Sequence, residues 1–426
     1  MAKQHLNKNQ KSEPSPFYRW LVLFFISMAM FGNYYIYDSI SPLADLLKSQ
    51  LRFSDGNIGL LNAIYSIPNI FMVLIGGYII DKIGTKKASI LFSALCMIGA
   101  IITAAKGDLT TMATGRLIFG LGAESLIVAV TTVIAKWFTG KELSFAFGLN
   151  LTIARLGSFA ALNSPTLAKS LFSNWQKPLF ISVAAGVISV LAVIVYFSME
   201  SRASRKYTLA ATGDVDAIPI GTFFSTIKQI NKSSFWYITL LCVTFYSGIF
   251  PFQTFAVKFF IEQHGISREM AGFTSSFITF AAMIGTPLFG FIIDRIGKRA
   301  SLMMLGSILL IPVYLMLIYT RLHPLIPMAM MGVAFSLIPA AMWPSIALII
   351  EQKRIGTAYG LMTMIQNIGL AGFNLLIGYV NDMTGRYTAG MWIFSILGFA
   401  GMLFAYLLKK SDVRTNEGKL ELSKAN

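Results

Sequence analysis

Apolar residues run along the chain in long blocks, and polar residues gather in the gaps. The blocks fall at roughly 18–40, 57–80, 87–106, 110–136, 142–170, 178–198, 234–262, 269–294, 298–320, 323–350, 355–380 and 387–408. Each is close to the ~20 apolar residues that carry a helix across a bilayer. No period-two alternation marks the ~10-residue strands of a membrane barrel. Lipid leaves the backbone only these two solutions. The pattern therefore predicts an all-α membrane protein with twelve transmembrane helices. Pro68, Pro251, Pro287 and Pro344 fall inside blocks, where membrane helices tolerate them. The first block continues as a full span after Trp20 without a small-residue cleavage site, so it reads as a helix and not as a signal peptide.

Composition narrows the class. Of 426 residues, 55% are hydrophobic and only 13% charged, about half the charge of a soluble domain. A soluble enzyme, a disordered chain and a coiled coil are excluded. A net charge of +16 would suggest nucleic acid in a soluble protein. Here its distribution matters. With the N-terminus inside, the tails and the even-to-odd loops hold 24 of the 35 Lys and Arg, the other loops hold 9, and Arg116 and Arg155 lie within helices. The positive-inside rule then places both termini in the cytoplasm. The charge is an orientation signal, and the partner it implies is the lipid bilayer and no nucleic acid. Cys96 and Cys242 lie in apolar blocks, which implies neither a disulfide framework nor a metal cluster.

The chain repeats itself. Gly77-Tyr-Ile-Ile-Asp81-Lys82-Ile-Gly84-Thr-Lys86-Lys87 returns as Gly290-Phe-Ile-Ile-Asp294-Arg295-Ile-Gly297-Lys298-Arg299, 213 residues later, and Ala146-Phe-Gly-Leu149 returns as Ala358-Tyr-Gly-Leu361. Two six-helix halves in parallel orientation follow. The organisation reads as an N-tail at 1–17, a six-helix bundle at 18–198, a cytoplasmic linker at 199–233, a second bundle at 234–408 and a C-tail at 409–426.

Charges within the blocks are the candidate chemistry. Glu124 lies ~21 Å along helix 4 and Arg155 ~20 Å along helix 5, both near the membrane centre. A charge there costs ~2.5–3.5 kcal/mol and needs a cavity or a partner. Either the two pair and lock their helices, or they face a cavity. In the second case Glu124 takes an ammonium and Arg155 grips a carboxylate through two parallel hydrogen bonds, which Lys cannot do. Lys258 and Glu262, four apart near the end of helix 7, read as a solvated pair or as Lys258 reaching the cavity. Trp343, before Pro344, is a packing aromatic or a cavity wall. Tyr37, Tyr65, Tyr246, Gln366 and Asn367 are polar groups at cavity depth that equally suit helix–helix hydrogen bonds; Asn367 aligns with Arg155 through the repeat. Asp38 ends helix 1 as a gate or a helix-end charge. Asp81 with Lys82, and Asp294 with Arg295, can hold a charge network that breaks as the halves rock. No zinc-binding helix, phosphate loop or nucleophile elbow is present, so no enzyme, metal or cofactor is expected.

The repeated Gly-x-x-x-Asp-(Lys/Arg)-x-Gly-x-(Lys/Arg) motif, with Arg116-x-x-x-Gly120-x-Gly122, resembles the signature of the major facilitator superfamily over nearly the whole chain. Phe31-Gly32-x-Tyr34-x-x-Tyr37-Asp38, Tyr65-Ser66-x-Pro68-Asn69, Gly122-Ala-Glu124-Ser125-Leu126, Ala154-Arg155-Leu156-Gly157-Ser158, Phe250-Pro251-Phe252, Trp343-Pro344 and Gln366-Asn367-x-Gly369-Leu370 resemble its lysosomal dipeptide transporter branch. The resemblance implies passage of dipeptides by alternating access, the ammonium and carboxylate roles for Glu124 and Arg155, and a structural or coupling role for Arg116. A proton-coupled carrier of amino acids or small organic anions, with Glu124 as proton site, is the alternative. The N-tail has no acidic dileucine and the loop after helix 1 is short. These departures suggest a bacterial inner-membrane relative, expected to be a monomer that requires no accessory subunit.

Overall fold

The computed structural model describes residues 14–138, 142–207, 233–350, 355–415 and 418–422. The predicted N-tail up to residue 13, the body of the predicted linker at 208–232 and the side chain of Asp81 lie outside the described residues. The long elements are α1 (Pro16–Asp38), α2 (Ala44–Leu51), α3 (Asp55–Ala63), α4 (Ser66–Ala105), α5 (Leu109–Phe138), α6 (Leu143–Leu162), α7 (Lys177–Lys206), α8 (Ser233–His264), α9 (Arg268–Ile296), α10 (Arg299–Tyr319), α11 (Leu325–Ile349), α12 (Ile355–Thr384) and α13 (Thr388–Thr415).

Among the described residues, eleven helices are long and apolar enough to cross a membrane. The remaining predicted block, 57–80, is not one helix. It divides at Ile64–Tyr65 into α3 and the first arm of α4. The gap predicted between the second and third blocks also differs. Helix α4 is helical throughout except at Gly84, whose φ of 78° and ψ of 155° suit a residue without a Cβ. The chain folds back there. Along one arm Gly76 meets Ser125, and along the other Gly99 meets Phe119, so both arms pack on α5. The polar stretch expected from 199 begins inside α7, where Glu200 is buried and accepts hydrogen bonds from Lys136 and, at 2.5 Å, from Trp137 Nε1.

In the first half α1 packs on α6 and α7, and α4 on α5 and α7; in the second, α9 packs on α11, and α13 on α8 and α10. The two sets of helices meet through α3 against α12, α4 against α12, and α6 against α9. Gly59 lies on the Asn374 carbonyl, and Gly378 lies on that of Asp55. A Cβ at either position would collide with backbone, so α3 and α12 touch main chain to main chain. We call the end carrying Gly84 and Gly297 the motif face and the other end the far face.

At the motif face α10 starts without a cap of its own. Lys298, before it, has φ 52° and makes no side-chain cap. Free N–H groups and two basic residues at a helix start are unfavourable. The C-terminal segment supplies the remedy. Arg299 N donates to Leu420 O at 2.7 Å. Glu421 accepts from Ser301 N at 2.9 Å and Ser301 Oγ at 2.7 Å and pairs with Lys409 at 3.4 Å. Leu420 is fully buried in the core beneath.

Replacing Glu421 with Ala is expected to cost about 1–2 kcal/mol, the worth of a helix cap. Thermal melting of the purified protein, with exposed Lys419→Ala as the control, measures the loss.

Candidate functional site

The site begins with two interrupted helices. Helix α1 stops at Asp38, and α3 stops at Ala63. Both ends leave carbonyls without helical partners. Arg116 on α5, buried to 1% exposure, takes them. Its Nη1 donates to Ile36 O at 3.0 Å, Nη2 to Tyr37 O and to Asn62 Oδ1 at 3.2 Å each, and Nε to Leu61 O at 3.1 Å. A cation at two helix C-termini also answers their dipoles. The guanidinium lies over the rings of Tyr65 and Phe119 as well. With four N–H bonds made to the protein, Arg116 has a structural place, one of the roles its motif implies.

Inside this frame stand the two central charges. Glu124 and Arg155 do not pair with one another; among the described residues neither makes an ion pair or a side-chain hydrogen bond. The helix-locking salt bridge weighed from sequence is therefore not formed. Tyr34 lies within electrostatic reach of both. Arg155 rests over the Tyr34 ring at 5.7 Å and the Phe335 ring at 4.9 Å. Such contacts hold a guanidinium for about 0.5–2 kcal/mol and leave its N–H groups available. Tyr34 and Phe335 were missed as site residues. Tyr34 was legible, one turn before Tyr37 on the same helix face. Phe335 comes from the other half, with no local signal.

Aromatic rings continue the wall. Tyr37 Oη and Tyr65 Oη are bonded at 2.7 Å, and Tyr37 meets Phe250 edge-on. Tyr246 stacks on Phe250 at 5.6 Å and accepts from Trp343 Nε1 at 3.0 Å. Tyr359 holds the Trp343 carbonyl at 2.8 Å. Gln366 accepts a long contact from Cys242 Sγ at 3.4 Å. Asn367, aligned with Arg155 by the repeat, is buried and donates to Thr363 O of its own helix at 3.0 Å. This bond ties one amide N–H to its own helix.

Lys258 differs from both sequence readings. It is fully buried and paired with Asp55, with Glu262 at 3.8 Å as a secondary partner. The solvated i,i+4 reading is thus corrected, and the ammonium is engaged by a carboxylate of the other half. Asp382 sits on the N-terminus of α3, accepting from Asp55 N at 2.7 Å and Gly56 N at 2.6 Å, where an anion is favoured. Arg268 clamps Asp45 through two bonds of 2.7 and 2.6 Å. These contacts join the halves at the far face. Asp55 and Asp382 were missed; they lie 327 residues apart, and only folding joins them. At the motif face, the ion pairs among the described residues stay within one half: Arg19 with Glu142, Lys136 with Glu200, Arg299 with Asp294, and Lys409 with Glu421. Lys82 is exposed, and Arg295 lies over Phe291 at 4.1 Å.

This is the architecture of a multi-pass membrane transporter of the two-bundle type. The chain belongs to the Major Facilitator Superfamily, whose family model matches residues 23–258 and 252–425. It is similar to the lysosomal dipeptide transporter MFSD1 of Danio rerio, with 32% identity over 96% of this chain and 90% of that protein. MFSD1 of Homo sapiens is 31% identical over 93% of this chain and 87% of its own length. A probable sulfoacetate transporter, SauU, of Cupriavidus necator is 22% identical over 90% of this chain and 92% of its own. Among solved structures, a mutant form of the nucleoside transporter NupG superposes with a TM-score of 0.75 at 14% identity, covering 92% of this chain and 99% of that one. It shares the fold.

Lys258→Met leaves the Asp55 carboxylate buried and unpaired. Breaking a buried pair this way costs about 3–5 kcal/mol. The far face is expected to open. In a background with Cys96 and Cys242 replaced by Ala, labelling of Ser41→Cys by a hydrophilic maleimide should then rise at least tenfold. Unchanged labelling means that the Lys258–Asp55 pair does not hold this face shut.

Proposed function

We propose that this chain moves dipeptides or similar small zwitterionic solutes across a membrane by alternating access. The observation that carries the reading is the pair of uncommitted charges, both within electrostatic reach of Tyr34, with Arg155 resting on rings from both halves. Glu124 takes the ammonium of the solute and Arg155 its carboxylate. Tyr37, Tyr65, Tyr246 and Trp343 line the space between, and Gln366 borders it. Stacked rings accept varied side chains without demanding one shape. Two opposite charges select a solute with both ends charged. Among the relatives, MFSD1 carries the name of a dipeptide transporter.

Lys258 and Asn367 we assign away from the solute, Lys258 to the latch at the far face and Asn367 to its own helix. The far face is the outer one if the basic residues of the loops follow the positive-inside rule. Both termini then lie in the cytoplasm, and the conformation described is closed to the outside. Asp294, held by Arg299 within its own loop at 2.7 Å, and its repeat partner Asp81 with Lys82 belong to the motif face. We propose that they engage across the halves when the transporter turns outward. The division into bundles at 18–198 and 234–408 suits that rocking motion. A bacterial inner membrane is the location we propose from the short loop after helix 1, and a single copy suffices for the mechanism.

A second reading rests on Arg155 as the free cation of the cavity. SauU and the hexuronate transporter of Escherichia coli, 23% identical, are named for organic anions. A carrier of such anions uses Arg155 as the clamp and Glu124 as a proton site.

Thermal stability of the purified protein against dipeptides, amino acids and carboxylates separates the two, because a ligand of the folded state raises its melting temperature. Dipeptides are expected to do so. Arg155→Lys removes the two-point grip and is expected to weaken dipeptide binding about 10–100-fold, the worth of a charge-assisted pair, while the unliganded protein melts as before. Glu124→Gln is expected to abolish dipeptide stabilisation. If single carboxylates stabilise and dipeptides do not, the anion carrier is correct.

A further inference from the structure

One carboxylate beside the site has no part in the reading above. Asp38 is the last residue of α1, at the break that Arg116 secures. Asp38 lies one helical turn beyond Tyr34, whose ring carries Arg155, and is within electrostatic reach of Arg155 and Arg116. With Ser41 and Asn62 it borders a small polar chamber between the halves, closed on the other side by Gln253 and Asn374. Among the described residues Asp38 makes no ion pair.

The two neighbouring guanidiniums are not equivalent. Arg116 has given four N–H bonds to three carbonyls and the Asn62 amide oxygen. Moving it would strip two helix ends of their partner. Arg155 has only the faces of Tyr34 and Phe335, so its donors are uncommitted. Among the described residues Glu124 also makes no ion pair, but Asp38 shares the α1 face of Tyr34, four residues earlier, on whose ring Arg155 rests. When the halves rock, the cavity is closed on both sides for a moment. A loaded carrier crosses that state with Arg155 neutralised by the solute. An empty one would carry a bare guanidinium through low dielectric, which is costly.

We propose that Asp38 is the internal counter-ion of Arg155. In the empty carrier a change of rotamer brings the Asp38 carboxylate to the guanidinium, in the place that the solute carboxylate takes in the loaded one. This rests on the reading of Arg155 as the carboxylate clamp. The side chains are apart in the conformation described, with Arg155 lying on its two rings. Solute and Asp38 compete for one cation. Binding therefore releases the end of α1, and departure of the solute lets the empty carrier return. Asp38 is a positioning residue and does not touch the solute.

Two transport modes test the assignment, because only one needs the empty carrier to return. In proteoliposomes, Asp38→Asn is expected to lower net uptake of a labelled dipeptide into empty vesicles about tenfold or more. Counterflow into vesicles preloaded with unlabelled dipeptide should stay within about twofold of the wild type. Dipeptide affinity should hold or tighten, since a competitor is gone. Asp38→Glu keeps the carboxylate and should restore net uptake. Loss of both modes together, or of neither, overturns the proposal. A ligand-free arm stands apart from the identity of the solute. Without any solute, maleimide labelling of Ser41→Cys in the cysteine-free background should slow about tenfold in Asp38→Asn, because the empty carrier then carries a bare cation, and recover in Asp38→Asn/Arg155→Gln, where none remains. Unchanged labelling in Asp38→Asn, or no recovery in the double variant, overturns the pairing. If the wild type moves no dipeptide, the proposed substrate falls, and the labelling rates still decide whether Asp38 answers Arg155.

Discussion

The buried guanidinium of Arg116 is the constraint on which the rest of the site depends. A membrane interior permits a helix to stop only where other groups take its loose carbonyls. Here α1 and α3 both stop beside α5, and one side chain serves both ends. The interruptions set Tyr37 and Asp38 at one break and Tyr65 just beyond the other. Continuous helices in the same place would point those residues elsewhere around their axes. The charge of Arg116 is costly in lipid, and four hydrogen bonds with two aromatic faces offset that cost. A structural cation thus holds both helix breaks in place.

The remaining charges divide by whether they are satisfied. At the far face every ionic group joining the halves has a partner: Lys258 with Asp55, Arg268 with Asp45, and Asp382 with the first amides of α3. Glycine contacts between α3 and α12 bring the main chains close enough for this. At the centre Glu124 and Arg155 have no ionic partner among the described residues. Satisfied charges hold a conformation, and unsatisfied ones wait for a solute. The latch must break, and its groups must rehydrate, whenever the far face opens. Solute bound at the centre can shift that balance only through differential affinity for the two states.

The repeat between the halves is real in sequence and unequal in use. Both copies of the motif turn the chain at a glycine of positive φ, Gly84 and Gly297. The second copy is additionally capped by the C-terminal segment through Glu421. Arg155 and Asn367 occupy matching positions, yet one rests on the Tyr34 and Phe335 rings and the other bonds its own helix. Duplicated halves can so diverge, the first carrying both central charges while both supply aromatic rings.

How much was legible before folding follows from range. The apolar spans, the two-fold repeat and the membrane class are local or periodic properties, because lipid rewards apolar length and penalises charge residue by residue. The break at Ile64–Tyr65 was invisible, since apolar residues continue through it and the reason for stopping sits on α5 as Arg116. Lys258 was noticed, but its neighbour Glu262 suggested a solvated pair, while the actual partner is Asp55, 203 residues away. Tyr34 stands one turn from Tyr37 on α1 and is legible from there; Phe335 and Asp382 have no local mark at all. Asn367 was favoured by alignment and lost by the rotation of its side chain onto Thr363. Composition and periodicity are written into the chain because each residue meets lipid on its own. Which charges are paired and which are left free is decided by contacts between distant helices, and a linear pattern holds no record of those.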